Sequence, residues 1–281
     1  MDQFVIKITC PDRKGIVAAV AKMIAESGAN ILDLTQHTAL DIELFMLKGH
    51  FEAPSPFDRK ALENSFAPIA EEFNMNWTLH DLSRKDRIAI LVSKTNHCLW
   101  ELLLKHQDGE LECDISVVVS NHSVNEPVAR QFDIPFYQID YGPGKENAEE
   151  KIQKILQEYS IDVVILARFM RIFSGDFTNK WKNKIINIHH GFLPAFKGAK
   201  PYHQAWYKGV KIIGATAHFA NENLDQGPII AQEVIQVSDR SHISQLVRVG
   251  KDVERRTLVH ALKLQLNHSI FVHENRTFIL R

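Results

Sequence analysis

Over residues 1–80 the hydrophobic positions repeat with two different periods. Phe4, Ile6 and Ile8 alternate with Gln3, Val5 and Lys7, the period of a strand. A Pro-Asp-Arg-Lys-Gly turn at 11–15 leads into Ile16, Val17, Val20, Ala21 and Ile24 at helical spacing, and Gly28 stands where a helix should stop. Strand-like runs follow at Ile31–His37 and Ile42–Phe51. Leu62, Phe66, Ile69 and Phe73 mark a second helix, and Met75, Trp77 and Leu79 alternate as a last strand. The order βαββαβ predicts a ferredoxin-like plait.

Asp81–Asp86 is a polar break, and beyond it the pattern changes. Apolar runs at Ile88–Ser93, Ile115–Ser120, Phe136–Ile139, Val163–Ala167, Ile185–His189 and Ile212–Phe219 alternate with helical segments near 97–107, 124–132, 146–159 and 201–208. Ser241–Leu266 is helical in period throughout. Continuous apolar strands suit a sheet covered on both faces, so a Rossmann-like, mostly parallel α/β sheet is expected. The expected domains are residues 1–82 and 87–281.

Composition sharpens this picture mainly by exclusion. The chain has 281 residues, 45% hydrophobic and 24% charged, which excludes disorder, collagen and a coiled coil. Net charge is −1, too small to steer nucleic acid, so no nucleic-acid partner is expected. Residues 1–80 hold 7 basic and 11 acidic side chains, leaving 26 basic and 23 acidic for the remainder, a mild excess that would welcome a small anion. Cys10, Cys98 and Cys113 are too few and too scattered for a disulfide framework or a cysteine-based zinc site. The N-terminal residues do not read as a signal peptide, and no apolar run reaches the ~18 residues of a membrane span. These readings together predict a reduced, cytoplasmic protein.

Candidate chemistry concentrates at Asn187-Ile-His189-His190-Gly191, at the carboxyl end of a predicted strand, where open α/β sheets collect ligands. Asn187 and His189 lie two apart, so both side chains leave one face, while Ile186 and Ile188 face packing. An amide and an imidazole aimed together can polarise a carbonyl. Equally, both can serve only to tie down the following loop, and spacing alone does not separate these readings. A second polar cluster, His218 to Asp225, follows the last predicted strand and precedes a Gly-Pro turn. Its aspartate can set the charge of His189 and relay protons, or can simply shape the turn. His97-Cys98 lacks a partner cysteine at metal spacing and reads as helix-terminus packing. Gly142-Pro-Gly144-Lys145 is too short for a phosphate loop, and no Gly-x-Gly-x-x-Gly follows the first strand of the sheet, which argues against a nicotinamide cofactor.

The stretch Asn187-Ile-His-His-Gly-Phe-Leu-Pro, with Gly-Ala-Thr-Ala-His218-Phe and an Asp225-Gln-Gly-Pro-Ile-Ile placed 36 residues beyond His189, resembles the folate-dependent formyltransferase family. Ala167-Arg-Phe-Met-Arg-Ile-Phe173 resembles that family's folate-pocket loop, and Pro-Asp-Arg-Lys-Gly-Ile-Val with Ala-Asn-Ile resembles an ACT domain. An ACT domain ahead of this fold is the layout of the formyltetrahydrofolate deformylases. Matching segments at 93–99, 115–122 and 250–255 extend the resemblance over nearly the whole chain.

The resemblance implies hydrolysis of 10-formyltetrahydrofolate to formate and tetrahydrofolate, with folate as substrate and no cofactor or metal, in support of one-carbon balance and purine synthesis. It implies that Asn187 and His189 bond the formyl oxygen and that Asp225 handles protons and favours the charged imidazole. Phe169, Met170, Arg171, Ile172, Phe173, His218 and Asn221 would bind the folate. An amino-acid effector would sit near Asp12, Arg13, Gly15 and Asn30, and a homo-oligomer is expected from the exposed sheet edges of the plait. Gly191 stands where the family has serine, and Gln226 where it has an acidic or small residue, so a loop hydrogen bond is expected to be missing. The alternatives are formyl transfer to a small amine, or a non-catalytic folate or amino-acid sensor. His190 favours the hydrolase, because amine-directed members of the family place proline there.

Overall fold

The computed structural model describes every residue except 142–144, 197, 199 and 239, and only the backbone of Lys145. The weak phosphate-loop pattern at 142–144 therefore lies outside the described residues. The chain forms two compact units, one of residues 1–85 with 268–271 and 278–281, the other of residues 86–267 with 272–277.

In the first unit, β1 (Asp2–Pro11), α1 (Ile16–Glu26), β2 (Asn30–Ala39), β3 (Leu44–Ala53), α2 (Arg59–Glu72) and β4 (Asn76–Asp81) follow the expected order. Their sheet runs β2-β3-β1-β4, with each neighbouring pair antiparallel. Phe4, Ile6 and Ile8 of β1 pack with Ile16, Val20 and Ile24 of α1 and Leu62 and Phe66 of α2 in one core. Gly15 supports the start of α1 with φ +99°, a conformation that side-chain-bearing residues rarely adopt. Where a strand was expected from Ile42, Leu40–Ile42 instead makes a short 3₁₀ turn and β3 starts at Leu44.

The last residues of the chain belong to this unit, unlike the expected division at 87–281. Phe271, Phe278 and Leu280 cluster with Met46 of β3, and apolar burial outweighs sequence distance. Nearby, Lys7 Nζ donates to the Ile270 carbonyl at 2.6 Å, Lys48 Nζ to Ser269 Oγ at 3.0 Å, and the His80 and His268 rings stack at 3.9 Å.

The second unit opens with β5 (Asp86–Val92), α3 (His97–Gln107), β6 (Cys113–Ser120), α4 (Glu126–Gln131), β7 (Phe136–Gln138) and α5 (Lys145–Glu158). It continues through β8 (Val163–Leu166), α6 (Gly175–Lys180), β9 (Ile185–His189), α7 (Pro201–Tyr207), β10 (Ile212–Phe219), β11 (Ile229–Gln236) and α8 (Ile243–Leu266). A final hairpin, β12 (Ile270–His273) and β13 (Arg276–Ile279), closes the chain. The large sheet has the order β11-β10-β9-β8-β5-β6-β7. Strands β5 to β9 are parallel, as expected, but β10 runs antiparallel to β9 and β11 antiparallel to β10. Strand β11 was not predicted: as a sheet edge carrying Gln232, Glu233 and Gln236, it lacks the continuous apolar run of a central strand. Helix α6, at six residues, is too short to display a period.

Stability of the first unit should be acid-sensitive. Burial, followed by Lys7 and Arg59, lowers His80 to about 4, and burial, followed by His80, Lys7 and Lys48, lowers His268 to about 3. An unfolded chain protonates both rings as pH falls through 6.5, whereas the folded chain resists until near 4 and 3, so stability is full above 6.5 and drains below it. Urea denaturation of His268→Asn should show a shallower loss between pH 6.5 and 4.5 than the wild type, by up to about one bound proton. Equal slopes would contradict the assignment.

Candidate active site

A cavity of about 270 Å³ opens in the second unit, and its lining joins the three loci singled out in the sequence. Asn187, His189 and Asp225 line it, as do the predicted folate-contacting residues Phe169, Met170, Arg171, Ile172, Phe173, His218 and Asn221. Phe169 and Phe173 of this group form a stacked aromatic row with Phe177, with ring centroids 5.7 and 4.2 Å apart. Met170 and Ile172 are 57% and 54% exposed, large apolar groups without cover. Arg171 lies over the Tyr141 ring, 5.4 Å from its centroid. The loop is fixed through its backbone: Met170 N donates to Ser93 Oγ at 2.9 Å, and Ser93 N donates to the Arg168 carbonyl at 3.3 Å.

Strand register brings the polar groups together. His218 of β10 lies opposite Asn187 of β9, and Asn187 Nδ2 is 3.0 Å from His218 Nε2. His218 Nδ1 donates to the Phe219 carbonyl at 2.9 Å, so its Nε2 is the acceptor for Asn187. Because β10 runs against β9, the loop after it begins beside Ile185 and returns to place Asp225 Oδ2 3.2 Å from His189 Nδ1. Asp225 also receives the Gly198 N–H at 3.4 Å and faces His218 Nε2 at 3.8 Å. The second nitrogen of His189, Nε2, donates to the Phe196 carbonyl at 2.7 Å. Both ring nitrogens of His189 thus face acceptors, the arrangement of an imidazolium paired with a carboxylate. Burial pushes the Asp225 carboxyl up, but the hydrogen bond and charge of His189 outweigh it and hold the group well below the usual carboxylate range.

A Formyl transferase family model matches residues 86–262, and an ACT domain model matches residues 4–55. A formyltetrahydrofolate deformylase of Synechocystis is 41% identical over 274 residues, covering 97% of this chain and 96% of that protein. One from Bacillus subtilis is 41% identical over 276 residues, covering 97% and 92%. The solved structure of a deformylase from Pseudomonas syringae superposes with TM-score 0.96 at 40% identity, covering 100% of this chain and 95% of that one. The chain belongs to the formyltetrahydrofolate deformylase family.

The sequence gives no role to Arg168 or Glu254 of this deformylase site, and His190 served only to favour the hydrolase. Arg168 and His190 line the cavity beside the three polar residues. Behind them, Glu254 of α8 is 1% exposed and accepts from His97 Nε2 at 2.9 Å and from the Tyr202 hydroxyl at 2.8 Å, with Arg168 Nε 3.5 Å away. Nε and Nη1 of Arg168 are buried without a hydrogen-bond partner among the described residues, and its backbone has φ +65°. His97, Cys98 and Glu254 offer ligand atoms within 4.8 Å of one another, but the Arg168 guanidinium already supplies the cation that Glu254 needs. Only its position inside the matching segment 250–255 pointed to Glu254.

At Gly191, a Cβ would stand 2.9 Å from His189 Nε2, from the Phe196 carbonyl oxygen and from Pro201 Cβ. The glycine is therefore what lets the Phe196 carbonyl reach His189. Gln226 lines a separate hollow with Pro194 and Arg276, away from the folate-loop residues. In the first unit, Arg13 Nη1 donates to the Glu72 carbonyl at 3.0 Å, and Asn30 Nδ2 donates to Glu52 Oε1 at 3.4 Å. Asp12 N donates to the Glu43 carbonyl at 2.9 Å. A cavity in this unit is lined by Met23, Glu26, Phe57 and Asp58 among others, and by none of Asp12, Arg13, Gly15 and Asn30. The structure does not gather those four residues around it.

Because the Asp225 carboxyl is depressed on folding, it contributes stability that is present above its ordinary value of 3.8 and is lost as pH falls below it. The stability difference between wild type and Asp225→Asn should therefore shrink as pH falls below about 4. A difference independent of pH down to about 2.5 would contradict the ion pair.

Proposed function

We propose that this cavity hydrolyses 10-formyltetrahydrofolate to formate and tetrahydrofolate. The observation that carries the reading is the buried His189–Asp225 pair, set beside the Asn187 amide in a cavity walled by Phe169 and Phe173. Apolar side chains cover the faces of the pteridine, and backbone groups of the loops at 169–173 and 220–225 read its polar edge. Water attacks the formyl carbon: its oxygen bonds to carbon, one proton passes to Asp225, and the carbonyl electron pair moves onto oxygen. Asn187 and His189 donate to that oxyanion, each donor worth roughly 3–4 kcal/mol. For His189 Nε2 to do so, the Phe196 carbonyl must give up its bond. The carbon–N10 bond then breaks, N10 takes the proton from Asp225, and the acid leaves as formate after losing its own proton. Protons and electrons balance with water as the only second reactant, so the scheme uses no cofactor.

The finer readings are that the N-terminal unit binds an amino acid that tunes the rate, that copies associate through the sheet edges at β2 and β4, and that the protein works in the cytoplasm, releasing formate for one-carbon balance and purine synthesis. The ACT match and the exposed edges support the first two. No described helix is long and apolar enough to cross a membrane.

With 10-formyltetrahydrofolate and no amine, the purified protein should release formate, and Asp225→Asn should cut that rate by at least about 10². Folate binding without formate release would favour the transferase or the sensor. For the effector, a scan of the twenty amino acids should find one that alters turnover or melting temperature; a scan with no change in either would remove the regulatory reading.

A further inference from the structure

Hydrolysis differs from formyl transfer only in the nucleophile, so a site that hydrolyses must hold a water and aim it. The groups so far given roles are poorly free for that task. His189 uses both ring nitrogens as donors, and His218 uses Nδ1 on the Phe219 carbonyl and Nε2 on Asn187. Asp225 already receives His189 and the Gly198 N–H. It can take one proton of an attacking water, but the other proton needs a second acceptor.

His190 is the remaining imidazole in the cavity lining. Among the described residues, neither of its ring nitrogens has a hydrogen-bond partner, and neither is fully buried. Packing holds the ring: its centroid is 5.4 Å from that of His189, and it meets Tyr202 of α7 edge-on at 6.0 Å. We propose that His190 binds the attacking water, accepting a hydrogen bond from it through a ring nitrogen and so aiming the water oxygen at the formyl carbon. The assignment rests on the hydrolase reading above and deepens it.

The surroundings keep His190 an acceptor. Burial and then the Arg168 guanidinium drive its imidazole down to about 3; Glu254 and Asp225 pull the other way, and His189 adds to the lowering. Arg168 is held beside Glu254, which His97 and Tyr202 also hold. Arg168 is the member of that network which lines the cavity, and its charge, second to burial, leaves His190 neutral. In the step itself, water's oxygen bonds to the formyl carbon, one proton passes to Asp225, and the other stays on oxygen, hydrogen-bonded to His190, until formic acid ionises.

The test compares wild type, His190→Leu and His190→Asn, each first checked for binding of tetrahydrofolate by fluorescence quenching. Each is given 10-formyltetrahydrofolate with and without hydroxylamine. Hydroxylamine attacks through nitrogen, breaks the carbon–N10 bond and yields formohydroxamate, so it reports the oxyanion machinery without a bound water. His190→Leu should lower kcat for formate by about 10², with KM within about threefold, while hydroxylamine-dependent formohydroxamate persists and the product ratio rises at least tenfold. His190→Asn, which keeps an acceptor, should recover part of the formate rate. Unchanged formate release in His190→Leu, or equal loss of both products in both variants, would overturn the proposal. Wild type that releases no formate would instead overturn the hydrolase reading on which it stands.

Discussion

The pairing of β9 with β10 is the constraint on which the site depends. Antiparallel register sets His218 opposite Asn187 and Thr216 opposite His189. Side chains alternate strictly across a sheet, so a slip of one residue would turn the Asn187 and His189 side chains into the packing layer. The same register fixes the loop behind the motif. Thr216 Oγ1 receives Leu193 N at 3.1 Å and donates to the Gly191 carbonyl at 2.9 Å, and Gln232 of β11 adds a bond to the Leu193 carbonyl at 2.8 Å. The antiparallel edge of an otherwise parallel sheet thus works as a jig for one catalytic turn.

Burying charge is costly, and around the cavity the unit does it at Asp225 and Glu254. Asp225 and Glu254 are both under 10% exposed, and each is tied to more than one donor. Such arrangements gain little net stability over an apolar replacement, but losing one partner leaves a charge stranded. Their presence a short distance apart suggests division of labour. The Asp225 network faces the cavity and can exchange protons, whereas the Glu254 network is closed by Arg168, His97 and Tyr202 and sets a potential. Cys98, beside that second network, is driven upward by burial first and then by the Glu254 charge, so it stays a thiol.

Periodicity made most of the architecture legible. Phe4, Ile6 and Ile8 announced β1, and the runs 88–93 and 163–167 announced the centre of the large sheet. What stayed hidden had weak local signals. Strand β11 carries polar Gln232, Glu233 and Gln236 because it lies at an edge, and β12 and β13 are four residues each. Direction was hidden too: nothing in Ile212–Phe219 tells an antiparallel strand from a parallel one. At the site, Asn187, His189 and Asp225 stood out because polar residues interrupted apolar runs. Arg168 and Glu254 did not, since an arginine after a strand and a glutamate in a helix look like solvent-facing residues until the fold buries them. The Asp12–Gly15 turn was legible as a turn, but its contacts with Glu72 and Glu43 depend on packing no local pattern carries.

The return of the C-terminal residues to the first unit has a consequence for how the chain is made and recombined. Residues 1–85 emerge from the ribosome long before Phe271, Phe278 and Leu280, so Met46 must wait through the synthesis of nearly the entire second unit for its apolar neighbours. The first unit is continuous in the gene only up to Lys85 and is completed in space by residues 268–271 and 278–281. A genetic exchange cut at the polar linker would therefore transplant an unfinished module with an uncovered apolar patch. In this chain the two units can diverge in sequence, but they cannot be swapped as separate pieces without carrying the tail along.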